Sequence, residues 1–182
     1  EPLGTLSVAA AEELFAEQIE ALVAGGVDCI AIETMSAIEE ATAAVRAARR
    51  VAPELPVLAT MTFDQATAQG PRTMMGVAPQ QAAEALQAAG AAVIGANCGA
   101  GPEQMLAIAR DLRAASDLPI LIKANAGRPE LVDGVTVFRQ TPEAMAALVP
   151  ELISNGATII GGCCGTTPAH IRAIRAAVDA IR

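Results

Sequence analysis

Aromatic side chains are nearly absent. The 182 residues include no tryptophan, no tyrosine and three phenylalanines, 2% of the chain. Single-stranded nucleic acid is held by stacking bases on aromatic faces, so a platform of that kind is excluded. Cationic residues are in deficit as well, 12 Lys and Arg against 20 Asp and Glu. The net charge is −8 and the isoelectric point about 4.6, which removes the basic surface that phosphate backbones require. Long apolar runs are missing too. The mean hydropathy of +0.42 comes from alanine and short Val/Ile/Leu runs, none of which nears the roughly 18–20 residues of a membrane-spanning helix. No signal-peptide pattern opens the chain. Four cysteines without a secretory context point to reduced thiols in the cytoplasm. What remains is abundant core material. With 53% hydrophobic and 18% charged residues, the chain is not disordered and is long enough to bury one domain's core without disulfides. No linker or shift of composition marks a second domain.

The hydrophobic pattern alternates. Short, nearly continuous apolar runs, Cys29–Ile32, Val57–Thr62, Ala92–Ala96, Ile120–Lys123 and Thr158–Ile160, read as strands buried on both faces of a parallel sheet. Between them lie stretches of helical period: Val8–Ala24, Ala37–Val51, Pro79–Ala89, Glu103–Ala115, Pro142–Asn155 and Pro168–Ile181. Ser7, Ser36 and Thr141 are expected at helix N-caps, with Pro142 and Pro168 at first helical positions. Gly25, Gly90 and Gly156 are expected to close helices in the left-handed conformation. The order is a helix followed by five βα units, which predicts a parallel α/β sheet. Two architectures satisfy it, an open doubly wound sheet and part of a (β/α)8 barrel. Length alone favours the first, since a full barrel takes about 250 residues.

In both architectures ligands bind at the carboxyl ends of the strands. Glu33, Asp64, Cys98, Asn125 and Cys163-Cys164 fall there. Thiolates at the ends of neighbouring strands can converge on a soft cation such as zinc, and three of them leave a coordination position open. The adjacent pair can share one ion only where the strand has ended, because consecutive strand residues face opposite ways. Gly161, Gly162 and Gly165 allow the required turn. The competing reading makes these cysteines small core hydrophobes, and it is the expectation for Cys29 in mid-strand. Glu33 is either a receptor for a substrate ammonium or a solvated rim residue. Asn125 either hydrogen-bonds a substrate or closes an Asx-turn. Lys123 shares the strand parity of Asn125 and points inward, where it forms an ion pair or a Schiff base. His170 is expected in a surface or packing role. Thr166-Thr167-Pro168 reads as a helix start able to hold an anion.

Several of these residues resemble the zinc-dependent homocysteine S-methyltransferase family. The motifs are Asn97-Cys98-Gly99, Asn125-Ala126-Gly127 and Gly161-Gly162-Cys163-Cys164-Gly165-Thr166-Thr167-Pro168 followed by His170-Ile171. The stretch from Phe15-Ala16-Glu17-Gln18-Ile19 to Ile32-Glu33-Thr34 fits the same family. Thr73-Met74-Met75-Gly76 favours its cobalamin-dependent methionine synthase branch, with the likeness covering essentially the whole chain. The resemblance implies a (β/α)8 barrel in which the five strands are the fourth to the eighth, and the first three βα units are not in this chain. A first residue Glu1 rather than Met fits a processed or fragmentary chain. The resemblance further implies that Cys98, Cys163 and Cys164 are zinc ligands, and that Glu33 and Asn125 contact the amino acid near its amino group. Residues 1–182 would then be a homocysteine-binding barrel domain, with homocysteine and a methyl donor as partners.

The chemistry expected from this family is transfer of a methyl group to the homocysteine thiol, giving methionine. A free thiol titrates near 8.5, and a cation in the open position would hold it as thiolate at neutral pH. The resemblance implies a methylcorrinoid, such as methylcobalamin, as the donor, carried by another domain or protein. S-methylmethionine and a betaine are alternatives. Rival readings are a Schiff-base lyase using Lys123, a structural zinc or thiol-redox module, and an inactive fragment of a larger enzyme.

Overall fold

The computed structural model describes residues 4–99 and 101–181. Helix α1 (Val8–Ala24) precedes five parallel strands, β1 (Ile30–Met35), β2 (Val57–Met61), β5 (Val93–Asn97), β6 (Ile120–Ala124) and β9 (Ile159–Gly162). Between them run α2 (Ile38–Val51), α3 (Pro79–Ala89), α4 (Pro102–Ala115), and the pair α5 (Pro142–Ala147) and α6 (Val149–Ser154). Helix α7 (Pro168–Asp179) follows β9. Two antiparallel hairpins stand apart from the sheet, β3–β4 (Gln65–Thr67, Gly70–Arg72) and β7–β8 (Glu130–Val132, Val135–Val137).

The sheet order is β1-β2-β5-β6-β9, all parallel. Spatial order follows chain order, with no reversal. A doubly wound sheet must reverse its strand order at a switch point, so the open-sheet alternative is set aside. Consecutive parallel strands joined by right-handed crossovers place their helices on one face and curve toward a barrel. Among the described residues β1 and β9 each pair on one side only, so the arrangement is part of a (β/α) barrel.

The register explains the two faces. Ile30 and Ile32, then Val57, Ala59 and Met61, then Ile94 and Ala96, then Ile120 and Ile122, all share one side and are buried. They meet helix faces built largely from alanine, such as Ala41, Ala44 and Ala48 of α2 and Ala82 and Ala83 of α3. Small residues let helices lie close to a sheet, which is where the alanine content goes. The opposite, concave side carries Glu33, Thr60, Asn97, Lys123 and Gly161 at the carboxyl ends of the strands. The strands therefore deliver polar side chains to one rim while their other faces make the core.

Some local expectations need correction. Ser7 and Thr141 cap their helices, accepting from the Ala10 and Ala144 amides, whereas the N-cap of α2 is Ala37, with no side-chain hydrogen bond, so Ser36 is not its N-cap. Gly90 and Gly156 are left-handed as expected, but Gly25 is right-handed and its neighbour Gly26 turns instead. The expected helix Pro142–Asn155 breaks at Leu148, because Pro150 has no N–H and its ring crowds the preceding turn. Cys29 lies just before β1 and is exposed, so it is not a core residue: the strand begins one residue later than expected.

Candidate metal centre at the strand ends

Asn97 is the last residue of β5 and Cys98 begins the loop after it. Cys98 takes up a left-handed backbone with φ of 61°, anchored by its amide donating to the Lys123 carbonyl at 3.2 Å. That turn carries its thiol off the sheet face and toward β9. Strand β9 ends at Gly162, so Cys163 and Cys164 lie in a turn and escape the alternation that would send them to opposite faces. The Cys163 amide still donates to the Ala124 carbonyl (2.8 Å), and Thr166 Oγ1 donates to the Cys163 carbonyl (2.7 Å). Gly165, with φ of 78°, closes the turn.

Three sulfurs converge as a result. Cys164 Sγ is 3.8 Å from Cys98 Sγ and 4.0 Å from Cys163 Sγ, and all three lie within 4.8 Å of one another. Thiolates bound to a tetrahedral zinc at about 2.3 Å sit about 3.8 Å apart. The spacing and the donor set both fit such an ion, with a fourth position left for a ligand. Burial of the sulfur, followed by the neighbouring Cys98 and Cys163 thiols, pushes the Cys164 thiol up to about 11. Close-set sulfurs make the Cys164 thiolate costly until a cation supplies the opposite sign.

Asn125 follows β6 and is buried. Its Oδ1 accepts from the Cys164 amide at 3.0 Å, so it fixes the backbone of a cysteine rather than closing an Asx-turn of its own. Glu33, at the end of β1, meets Lys123 of β6 in an ion pair across the concave face. Lys123 thus takes the ion-pair alternative, its ammonium paired with Glu33 rather than standing free for a Schiff base. His170 is buried at the start of α7. Its Nδ1 accepts from the Thr167 amide (3.1 Å) and its Nε2 donates to the Gln140 carbonyl (2.9 Å). It caps the helix and ties down the chain ahead of α5, a packing role. The Thr167 amide, which an anion would need, is therefore taken.

Sequence reasoning placed Asn97 in the Asn-Cys-Gly motif but gave no role to this residue, which stands at the centre of the arrangement. Asn97 is 1% exposed, and both ends of its amide are used. Oδ1 accepts from the Thr34 amide (2.8 Å) and from Thr60 Oγ1 (2.6 Å). Nδ2 donates to Thr34 Oγ1 (2.7 Å) and reaches Cys163 Sγ at 3.8 Å. Thr62 Oγ1 adds a bond to the Asn97 carbonyl (2.9 Å). Thr34 has φ of 63°, an outlier for a β-branched residue, and Asn97 holds it there. The signal was an amide at the end of an otherwise apolar strand, where an unpaired side chain would be costly.

The model of the homocysteine S-methyltransferase family matches residues 1–178. The chain belongs to that family. The methionine synthases of Mycobacterium tuberculosis (strain ATCC 25618 / H37Rv) and Mycobacterium leprae (strain TN) are 32% and 30% identical to it. Those alignments cover 99% and 97% of this chain but 15% of each mycobacterial protein, so the chain spans a small part of their length. The metallated form of the homocysteine methyltransferase MmuM from Escherichia coli superposes with a TM-score of 0.76 at 25% identity. That match covers 95% of this chain and 53% of MmuM.

Membership in the homocysteine S-methyltransferase family agrees with the partial barrel and with the cysteine cluster. One expectation is corrected here. A methylcorrinoid donor was expected, but the likeness to MmuM, a homocysteine methyltransferase seen in apo, metallated and oxidized forms that superpose on 91–95% of this chain, argues against a corrinoid cofactor. Gly-Gly-Cys-Cys-Gly-Thr and the upstream Asn-Cys bring the three sulfurs together, and their presence does not specify a corrinoid. Among the described residues no helix is long and apolar enough to cross a membrane.

Proposed function

We propose that the chain carries the thiol-activating site of a zinc-dependent homocysteine S-methyltransferase, and that residues 1–182 serve as its homocysteine-binding barrel domain. The observation that carries this reading is the meeting of Cys98, Cys163 and Cys164 within 4.8 Å at the strand ends of a chain that belongs to this family. Those three thiolates would hold the zinc. Bound there, zinc supplies the Lewis acidity that keeps a substrate thiol deprotonated at neutral pH.

The residues around the cluster divide the remaining work. Asn125 holds the Cys164 backbone, and Asn97 offers an N–H to Cys163 Sγ. Glu33 is the receptor for the ammonium group of the amino acid, with Asn125 beside it. Three thiolates and a divalent cation sum to a charge of about −1, and a fourth thiolate brings it to about −2. Such an electron-rich centre would leave a substrate sulfur nucleophilic. The sulfur lone pair would form the new S–CH3 bond, and the donor's leaving group would depart with the electrons of the bond that breaks. No side-chain base is required, which suits a site whose one histidine is committed to capping α7. Thiols that must stay free match a reducing, cytoplasmic setting.

The test is zinc per chain by metal analysis, with X-ray absorption before and after adding homocysteine. One zinc per chain, gaining a fourth sulfur on homocysteine addition and lost in Cys163→Ala, is the expected result. A folded chain that binds no zinc would overturn the reading.

A further inference from the structure

Glu33 and Lys123 come from strands that are not neighbours. Strands β2 and β5 lie between β1 and β6, and the two side chains meet over the concave face that those strands line. Beneath the pair sit Thr60 and Asn97, both buried and both occupied by each other's hydrogen bonds. The ion pair does not complete their bonding, and it is itself partly exposed, with side-chain exposures of 37% for Glu33 and 23% for Lys123. A pair in that setting is worth little to stability and is open to exchange.

Both charges are placed next to the sulfur cluster. The Lys123 carbonyl accepts from the Cys98 amide at 3.2 Å. Lys123 pairs in register with Gly161, two residues before Cys163, and its stem lies where a side chain at 161 would stand: a Cβ there would be 3.3 Å from Lys123 Cγ. Glu33 directly precedes Thr34, whose amide and hydroxyl are held by Asn97, itself 3.8 Å from Cys163 Sγ. One negative and one positive side chain therefore stand together beside a thiol-binding centre.

We propose that Lys123 binds the substrate's α-carboxylate, so that the Glu33–Lys123 pair is a receptor for an amino-acid zwitterion. This rests on the functional reading above, which gives Glu33 the ammonium. In the free protein each charge neutralises the other. On binding, the substrate ammonium takes Lys123's place at Glu33, and the released Lys123 ammonium turns to the carboxylate. One ion pair becomes two, and no charge is left unpaired. The site then selects thiols that carry both groups on one carbon and discriminates against thiols that carry one of them.

The experiment measures dissociation constants of the zinc-loaded chain for homocysteine, its decarboxylated analogue (an aminopropanethiol) and its deaminated analogue (a mercaptobutanoate). Wild type is compared with Lys123→Met, Lys123→Arg and Glu33→Gln. Lys123→Met is expected to weaken homocysteine and the mercaptobutanoate about tenfold, the scale of a charge-assisted bond. The same change should tighten the aminopropanethiol, because Glu33 loses its competitor. Lys123→Arg should keep most of the homocysteine affinity, and Glu33→Gln should weaken the two amines while sparing the mercaptobutanoate. Equal effects of Lys123→Met on homocysteine and on the aminopropanethiol, or none on either, would overturn the receptor while leaving the metal reading intact. Failure of the zinc-loaded wild type to bind any of the three thiols would overturn both.

Discussion

At the scale of single residues, the candidate site is organised by an amide rather than by its sulfurs. Asn97 joins the carboxyl end of β1, the hydroxyl of Thr60 and the thiol of Cys163. Replacing it with alanine removes the acceptor of the Thr34 amide and strands the buried Thr60 hydroxyl, the latter costing on the order of 1–3 kcal/mol. Asn97→Ala is therefore expected to lower stability by about 2 kcal/mol or more in denaturant titration. It should also weaken zinc at least tenfold in competition with a chromophoric chelator, in line with losses of partners behind metal ligands. A variant with normal zinc affinity would mean that the contact with Cys163 plays no part in metal binding. The cysteine trio and Asn125 were legible in the sequence because rim position and residue type coincide in them. The role of Asn97 was not, because it lies in what Thr34 and Thr60 present to it, and those partners come from strands whose adjacency is not a local property of the chain.

At the scale of elements, the strands were legible and their decorations were not. Parallel strands covered by helices on one face announce themselves as short apolar runs, and the five runs match the observed strands to within a few residues. The hairpin β7–β8 escaped notice although its turn residues, Asp133 and Gly134, have φ of 50° and 78°, and Asp-Gly is a strong hairpin signal. The split between α5 and α6 was likewise available in Pro150. Strand contacts carry a prediction of their own. Gly95 in β5 faces the β6 backbone so closely that a Cβ would stand 1.9 Å from the Leu121 carbonyl oxygen. The neighbour is backbone and cannot swing aside, so Gly95→Ala must push β5 and β6 apart. Its expected cost is about 3 kcal/mol or more, together with loss of zinc binding, since those two strands carry Cys98 and Asn125. Thermal unfolding of the metal-free variant separates the two effects, and an unchanged transition would refute the predicted clash.

At the scale of the whole molecule, length pointed to an open sheet, and strand order decided for a barrel segment. Periodicity reports which residues are buried, whereas strand order depends on the path of the crossovers, which leaves no periodic trace. The molecule's stability should also depend on pH through its cluster. The Cys164 thiol is pushed up to about 11 from an ordinary value near 9, first by burial and then by the other thiols. Between those values the unfolded chain has lost a proton that the folded chain still holds. The metal-free fold therefore loses stability as pH rises from 9 toward 11. Denaturant midpoints in chelator and reductant at pH 8 and 10.5 should fall further for wild type than for Cys164→Ser. Equal falls would show that the thiol cluster contributes nothing to the pH dependence.

The sequential order of strands has a consequence for how the chain reaches this state. Strands opening at Ile30, Val57, Val93, Ile120 and Ile159 each pair with the next one made. Every step closes a loop of similar size, and none has to wait for a distant segment. The contact between Cys98 and Cys164 is different, for it reaches past β6. During synthesis the first thiol is exposed long before its partners exist, and they come together only once β6 and β9 have been laid down. The sulfurs thus stay apart through most of assembly, and a cation captured at the end would tie shut a sheet that had grown one unit at a time.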